Sequence, residues 1–166
     1  MEKHAIKNDD IYEELRKWFL GARRVVIAGI GGLIRKDDFI GVGIVKKLRG
    51  KVSPSVYLIE CEMSPEKFLE PIIQFKPTHI LLINAAQLNL EPGSSRLIEL
   101  NRIVGPTVLT HALTYQIFRE FLAEATGAKV VLLAVQPKDT SFGEGFTKEL
   151  EETIERLSGF LSGVLP

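Results

Sequence analysis

Cysteine is nearly missing: Cys61 stands alone in 166 residues. One thiol excludes an internal disulfide framework and a multi-cysteine metal cluster. An excess of charge of either sign is missing too, because 21 Lys and Arg balance 21 Asp and Glu. With no basic block or stripe to follow phosphates, nucleic acid is not an expected partner. The longest apolar runs are strand-sized and too short to cross a bilayer, so no membrane insertion is expected. The start, Met1-Glu2-Lys3-His4, is charged and lacks the apolar stretch of a secretory signal. The expectation is a soluble, cytoplasmic protein. Also absent are the phosphate-loop pattern G-x-x-x-x-G-K-S/T and the nucleophile elbow G-x-S-x-G. No internal repeat or low-complexity segment occurs.

What is present is a dense, regular alternation of apolar runs and polar breaks. Hydrophobic residues make up 45% of the chain, enough to build a core without a covalent staple. One domain over residues 1–166 is expected. It comprises an N-terminal helix at about 8–20 ahead of a core at about 24–161.

The chain is organised around residues 24–43. Val25-Val26-Ile27 begins a β-branched run suited to a strand buried on both faces. Gly29, Gly31 and Gly32 then break it, and Asp37-Asp38 close the loop, where Asp is placed to cap a helix over 39–48. Further strands are expected at 55–61, 78–86 and 129–135. A short strand at 96–100 follows a connection too brief for a crossover and is therefore read as antiparallel. Ser64-Pro65-Glu66 reads as a helix start with a capping Ser, and Pro71 should kink or shorten that helix. Later helices are expected at about 110–125 and 147–161. The fold class is α/β: three layers, a mainly parallel twisted sheet of about five strands with one antiparallel strand, and helices on both faces.

In such a sheet the C-terminal ends of the strands carry the chemistry. Asp38, Glu60, Asn84 and Gln136 all fall at that edge, and His111 opens the helix beside it. Carboxylate, amide and imidazole together suit a hard-to-borderline divalent metal. Spacing alone leaves this open against ordinary polar residues at a sheet edge. Gly29-Ile30-Gly31 also resembles the start of a dinucleotide fingerprint. However, Ile34 stands at the third glycine position, and Asp37-Asp38 would repel a pyrophosphate. His79 lies at the opposite end of its strand.

Four ordered segments carry a resemblance. They are Gly29-Ile30-Gly31 with Asp37-Asp38 and Gly41; Asn84-Ala85-Ala86 with Leu90-Glu91-Pro92-Gly93; Thr110-His111-Ala112-Leu113; and Val135-Gln136-Pro137. Together they resemble the [NiFe]-hydrogenase maturation endopeptidases, most closely the hydrogenase 3 branch. The resemblance implies an aspartic-type peptidase that trims the C-terminal extension of the precursor large subunit after nickel insertion. It implies no tightly bound cofactor: the metal is the nickel of the substrate, Ni2+ or another divalent ion. By position the metal-recognising residues fall on Asp38, Asn84 and His111, with Asp38 as the catalytic candidate. Glu60, Gln87 and Gln136 are supporting residues, and Gly29, Gly31, Gly32 and Asp37 form the loop.

The chain departs from the family pattern at the end of the second strand, where Glu60-Cys61-Glu62 replaces small residues, and at four further positions. Gly32 stands where Asn is usual, and Phe39 where Gly follows the acid pair. Asn84 and Gln87 stand where the family has Asp. Each of those amides removes a negative charge, and Glu60 is read as the compensating carboxylate. The expected state is a monomer. Two alternatives follow: a weakened homologue that binds maturation partners without cutting, and a nucleotide-binding α/β domain.

Overall fold

A computed structural model describes residues 8–100 and 112–166 of the chain. In order the elements are α1 (Asn8–Trp18), β1 (Val25–Ile30), α2 (Ile40–Leu48), β2 (Val56–Glu62), α3 (Leu69–Phe75) and β3 (His79–Ala85). They continue with β4 (Ser95–Ile98), α4 (Ala112–Thr126), β5 (Lys129–Val135) and α5 (Lys148–Val164). One turn of 3₁₀ helix, Lys36–Phe39, precedes α2, and another, Pro65–Phe68, precedes α3.

The sheet has five strands in the order β2-β1-β3-β5-β4. All pairs are parallel except β4 with β5. This is the expected α/β class, including the single antiparallel strand. The central strands read as unbroken apolar runs because both of their faces are covered. On one face Val25, Ile27, Leu81, Ile83, Val131 and Leu133 pack against α1, α2 and α5. On the other, Val26, Ala28, Ile80, Leu82 and Leu132 pack against Ile72 of α3 and Tyr115, Phe118 and Leu122 of α4.

One local expectation changes and another is sharpened. Ser64 makes no side-chain cap, since the chain there enters a 3₁₀ turn rather than the first turn of an α-helix. At Pro71 the second of the two expected effects, shortening, is seen: the α-helix spans only Leu69–Phe75. Pro71 stands at its third position, where a backbone N–H has no intrahelical acceptor to lose. The earlier part of that segment is the 3₁₀ turn.

The topology creates one crevice. Strand order reverses between β1 and β3, which puts the loops after those two strands on opposite sides of a gap at the sheet's C-terminal edge. The start of α2 closes over it at very short range. A Cβ on Gly29 would overlap the carbonyl oxygen of Gly41, and a Cβ on Gly41 would overlap that of Ile83. Glycine at both positions lets the helix sit directly on β1 and β3.

Candidate active site

The loop after β1 forms one wall of the crevice. Asp38 is half-buried, and its Oδ2 accepts the Gly32 N–H at 2.9 Å. Gly31 has φ +151°, and a Cβ there would overlap the Asp38 carbonyl oxygen. This folded-back arrangement disposes of the dinucleotide resemblance: the N–H that would serve a phosphate is held by the chain's own carboxylate.

Asp37 does something other than expected. It caps neither its own turn nor α2. Its carboxylate is fully buried and turns toward the far end of the sequence. Oδ2 accepts the N–H groups of Lys138 and Asp139 at 2.9 Å each and the Thr147 hydroxyl at 2.8 Å, while Oδ1 accepts the Thr147 N–H at 2.8 Å. A buried carboxylate needs several donors, and the 138–147 segment supplies four. The same two segments are joined through backbone. Lys36 N–H donates to Gly143 O, Gly143 N–H to Ile34 O, and Asp37 N–H to Asp139 O. Lys36 also pairs with Asp139 at 3.0 Å. The hydrogen bonds from the Ser141 hydroxyl and N–H, followed by that from Lys36, hold the Asp139 carboxyl well below its ordinary range, at about 2.

Asn84, next to last in β3, forms the other wall. Its Nδ2 donates to the Tyr115 hydroxyl at 2.6 Å, and its Oδ1 accepts the Ala85 N–H at 2.8 Å. Tyr115, on α4, is buried. Burial pushes its phenol up to about 12; the Asn84 hydrogen bond opposes that rise, and the Asp38 carboxylate, with Cys61 once ionised, adds to it. Asp38, Asn84 and Tyr115 thus share one locality. Tyr115 is the residue that sequence reasoning missed. Nothing local in the sequence sets it apart from the other apolar positions of that helix. His111 itself lies outside the described residues. Among the described residues no three His, Cys, Asp or Glu side chains converge as a metal cluster.

The supporting residues take structural positions. Glu60 lies opposite Gly29 in the sheet, but its carboxylate is engaged by Arg49 at 2.6 Å and Lys46 at 3.8 Å. Two cations from the end of α2 neutralise it, which does not favour reading it as the replacement charge. Gln136 is buried; its Nε2 donates to Gln87 Oε1 and to Pro137 O, both at 3.0 Å, and its Oε1 accepts the Leu88 N–H at 2.6 Å. The two glutamines brace the β3–β4 loop against β5. Burial pushes the Cys61 thiol up to about 12, with Glu66 adding to the effect. Phe39 is buried and stacks on Phe146, with ring centroids 6.4 Å apart, so it packs the loop. Leu33, Ile34 and Phe142, at the tips of the two joined loops, are 52%, 52% and 71% exposed.

Fold and site define a class first: an open α/β sheet whose polar groups gather at the switch point, on a glycine loop closed by its own acid. The family model for the hydrogenase maturation proteases matches residues 42–162. A crystal structure of a [NiFe] hydrogenase maturation protease from Thermococcus kodakarensis superposes with a TM-score of 0.86 at 31% identity, covering 92% of this chain and 98% of that one. A chain of Methanocaldococcus jannaschii assigned to the same proteases is 29% identical over 81% of this chain and 90% of its own length. The hydrogenase 3 maturation protease of Escherichia coli is 24% identical over 83% and 88%. The chain belongs to the hydrogenase maturation protease family, and it is a peptidase.

Proposed function

We propose that this peptidase removes the C-terminal extension of a nickel-loaded [NiFe]-hydrogenase large subunit and inspects the nickel through Asp38, Asn84 and His111. The observation that carries this reading is the meeting of Asp38 and Asn84, from loops on opposite sides of the switch point, around Tyr115. The donor set fits the cargo. A carboxylate oxygen, an amide oxygen and an imidazole form the mixed set that a borderline ion such as Ni2+ accepts. The amide adds no charge, so the set grips weakly. Weak grip suits a protein that tests a metal held by another protein rather than keeping one.

With nickel as the docking point, the scissile bond lies beside the crevice. Asp38, half-exposed there, is placed to take a proton from an attacking water. The exposed Leu33, Ile34 and Phe142 offer an apolar rim on which the precursor's tail can rest.

The test is to incubate the protein with unprocessed large subunit, with and without nickel, and to measure the product's intact mass. Loss of the extension only in the presence of nickel is expected. Cleavage that ignores nickel overturns the metal reading. A nickel-loaded precursor that binds but stays uncut makes the protein a binder of maturation partners instead.

A further inference from the structure

An asparagine in a ligand position poses a problem that an aspartate does not. Its two terminal atoms differ: the oxygen can face a cation, whereas the NH₂ group repels it. The amide therefore works in one orientation only, and something has to set it. At Asn84 two contacts do so. The Ala85 N–H donates to Oδ1 at 2.8 Å, and Nδ2 donates to the Tyr115 hydroxyl at 2.6 Å. Half a turn of the amide would bring Nδ2 against the Ala85 N–H, donor against donor. The phenol is itself held in place, because Tyr115 is buried on the face of α4 that packs on the sheet, in the apolar cluster that also holds Cys61, Ala86 and Phe118.

We infer that Tyr115 is a positioning residue for Asn84: its hydroxyl holds the nitrogen side of the amide, leaving the second lone pair of the oxygen for the precursor's nickel. The inference rests on the nickel reading of the site. It explains how a chain with an amide in place of the family's carboxylate keeps an oxygen aimed at the metal. The Tyr115 hydroxyl supplies an orientation that a carboxylate obtains from its own symmetry.

The experiment is a cycle of four proteins: wild type, Tyr115→Phe, Asn84→Asp and the double variant. Each is titrated with Ni2+ alone by calorimetry. Tyr115→Phe keeps the ring and deletes the anchor, and it should weaken Ni2+ binding about 10-fold, as loss of an orienting partner does. In the Asn84→Asp background the same change should cost about 2-fold or less, because either rotamer of a carboxylate presents oxygen. Tyr115→Phe should also shift and broaden the paired Asn84 side-chain amide resonances in a nitrogen-15 spectrum. An equal loss in both backgrounds, the mark of a purely structural tyrosine, overturns the inference. So does no loss with Asn84 in place. If free Ni2+ binds too weakly to titrate, the KM for nickel-loaded precursor is read across the same four proteins by the same criterion. A wild type that neither binds Ni2+ nor needs nickel for cleavage overturns the proposed function along with the inference. A nickel-dependent wild type indifferent to Tyr115→Phe overturns the inference alone.

Discussion

Asp37 and Asp38 are adjacent, identical in chemistry and opposite in use. Asp37 is fully buried and satisfies four donors from 138–147. Asp38 is half-buried and takes one backbone N–H. Their substitutions should therefore separate. Asp37→Ala strands several buried donors and should lower stability by about 3 kcal/mol, read as a drop in urea midpoint. Asp38→Ala should leave the midpoint within about 1 kcal/mol of wild type yet slow precursor processing by roughly 100-fold or more. His111→Ala should behave as Asp38→Ala does. A second residue-scale prediction concerns Cys61. It is buried with its thiol pushed up to about 12, so at pH 8 it holds its proton and is no nucleophile. Iodoacetamide at that pH should leave native protein unlabelled by intact mass and label it once in denaturant. Labelling of native protein, with loss of processing, would make Cys61 a candidate nucleophile.

At the scale of elements, α2 is the part with least room. Gly41→Ala places a Cβ into the Ile83 carbonyl, where backbone rather than a flexible side chain would have to yield. It should cost about 3 kcal/mol or prevent folding. Gly159, inside α5, has nothing within 4 Å of an added Cβ. Gly159→Ala should stabilise by about 0.5–1 kcal/mol through helix propensity. Thermal melts of the two variants, shifting in opposite directions, check both. Elements of this kind were legible because their signals are local. Val25-Val26-Ile27 and Ile80-Leu81-Leu82-Ile83 declare doubly covered strands, and the short β3–β4 connection declares a reversal of direction, although β4 pairs with β5 and not with β3. The division of labour between the two aspartates was not legible, because the donors that claim Asp37 lie 101 to 110 positions away. Glu60 misled for the same reason: its partners Lys46 and Arg49 belong to another element, and only the packed sheet brings them together. Tyr115 reads in sequence as one more apolar position of an amphipathic helix. Its hydroxyl gains meaning only once Asn84 is set beside it.

At the scale of the molecule, α1 is continuous with the core that supports the site. Ile11, Leu15 and Phe19 are buried in the same cluster as Leu133, Val135 and Leu161, and Tyr12 rests on Phe160 at 4.7 Å between ring centroids. If that cluster unfolds as a unit, Phe19→Ala should cost about 3 kcal/mol and move a single cooperative transition followed by circular dichroism in urea. A separate early step, with the main midpoint unmoved, would make α1 an appendage. Among the described residues no helix is long and apolar enough to cross a membrane.

The bond between the 31–38 loop and the 138–147 segment has a consequence for engineering. The two stretches lie about a hundred residues apart in the sequence, yet they fold as one part, because the carboxylate of one is completed by the donors of the other. A chimera that imports a relative's acidic loop alone carries half of that part and leaves Asp38 on a loop no longer braced. Importing both stretches together transfers a working piece.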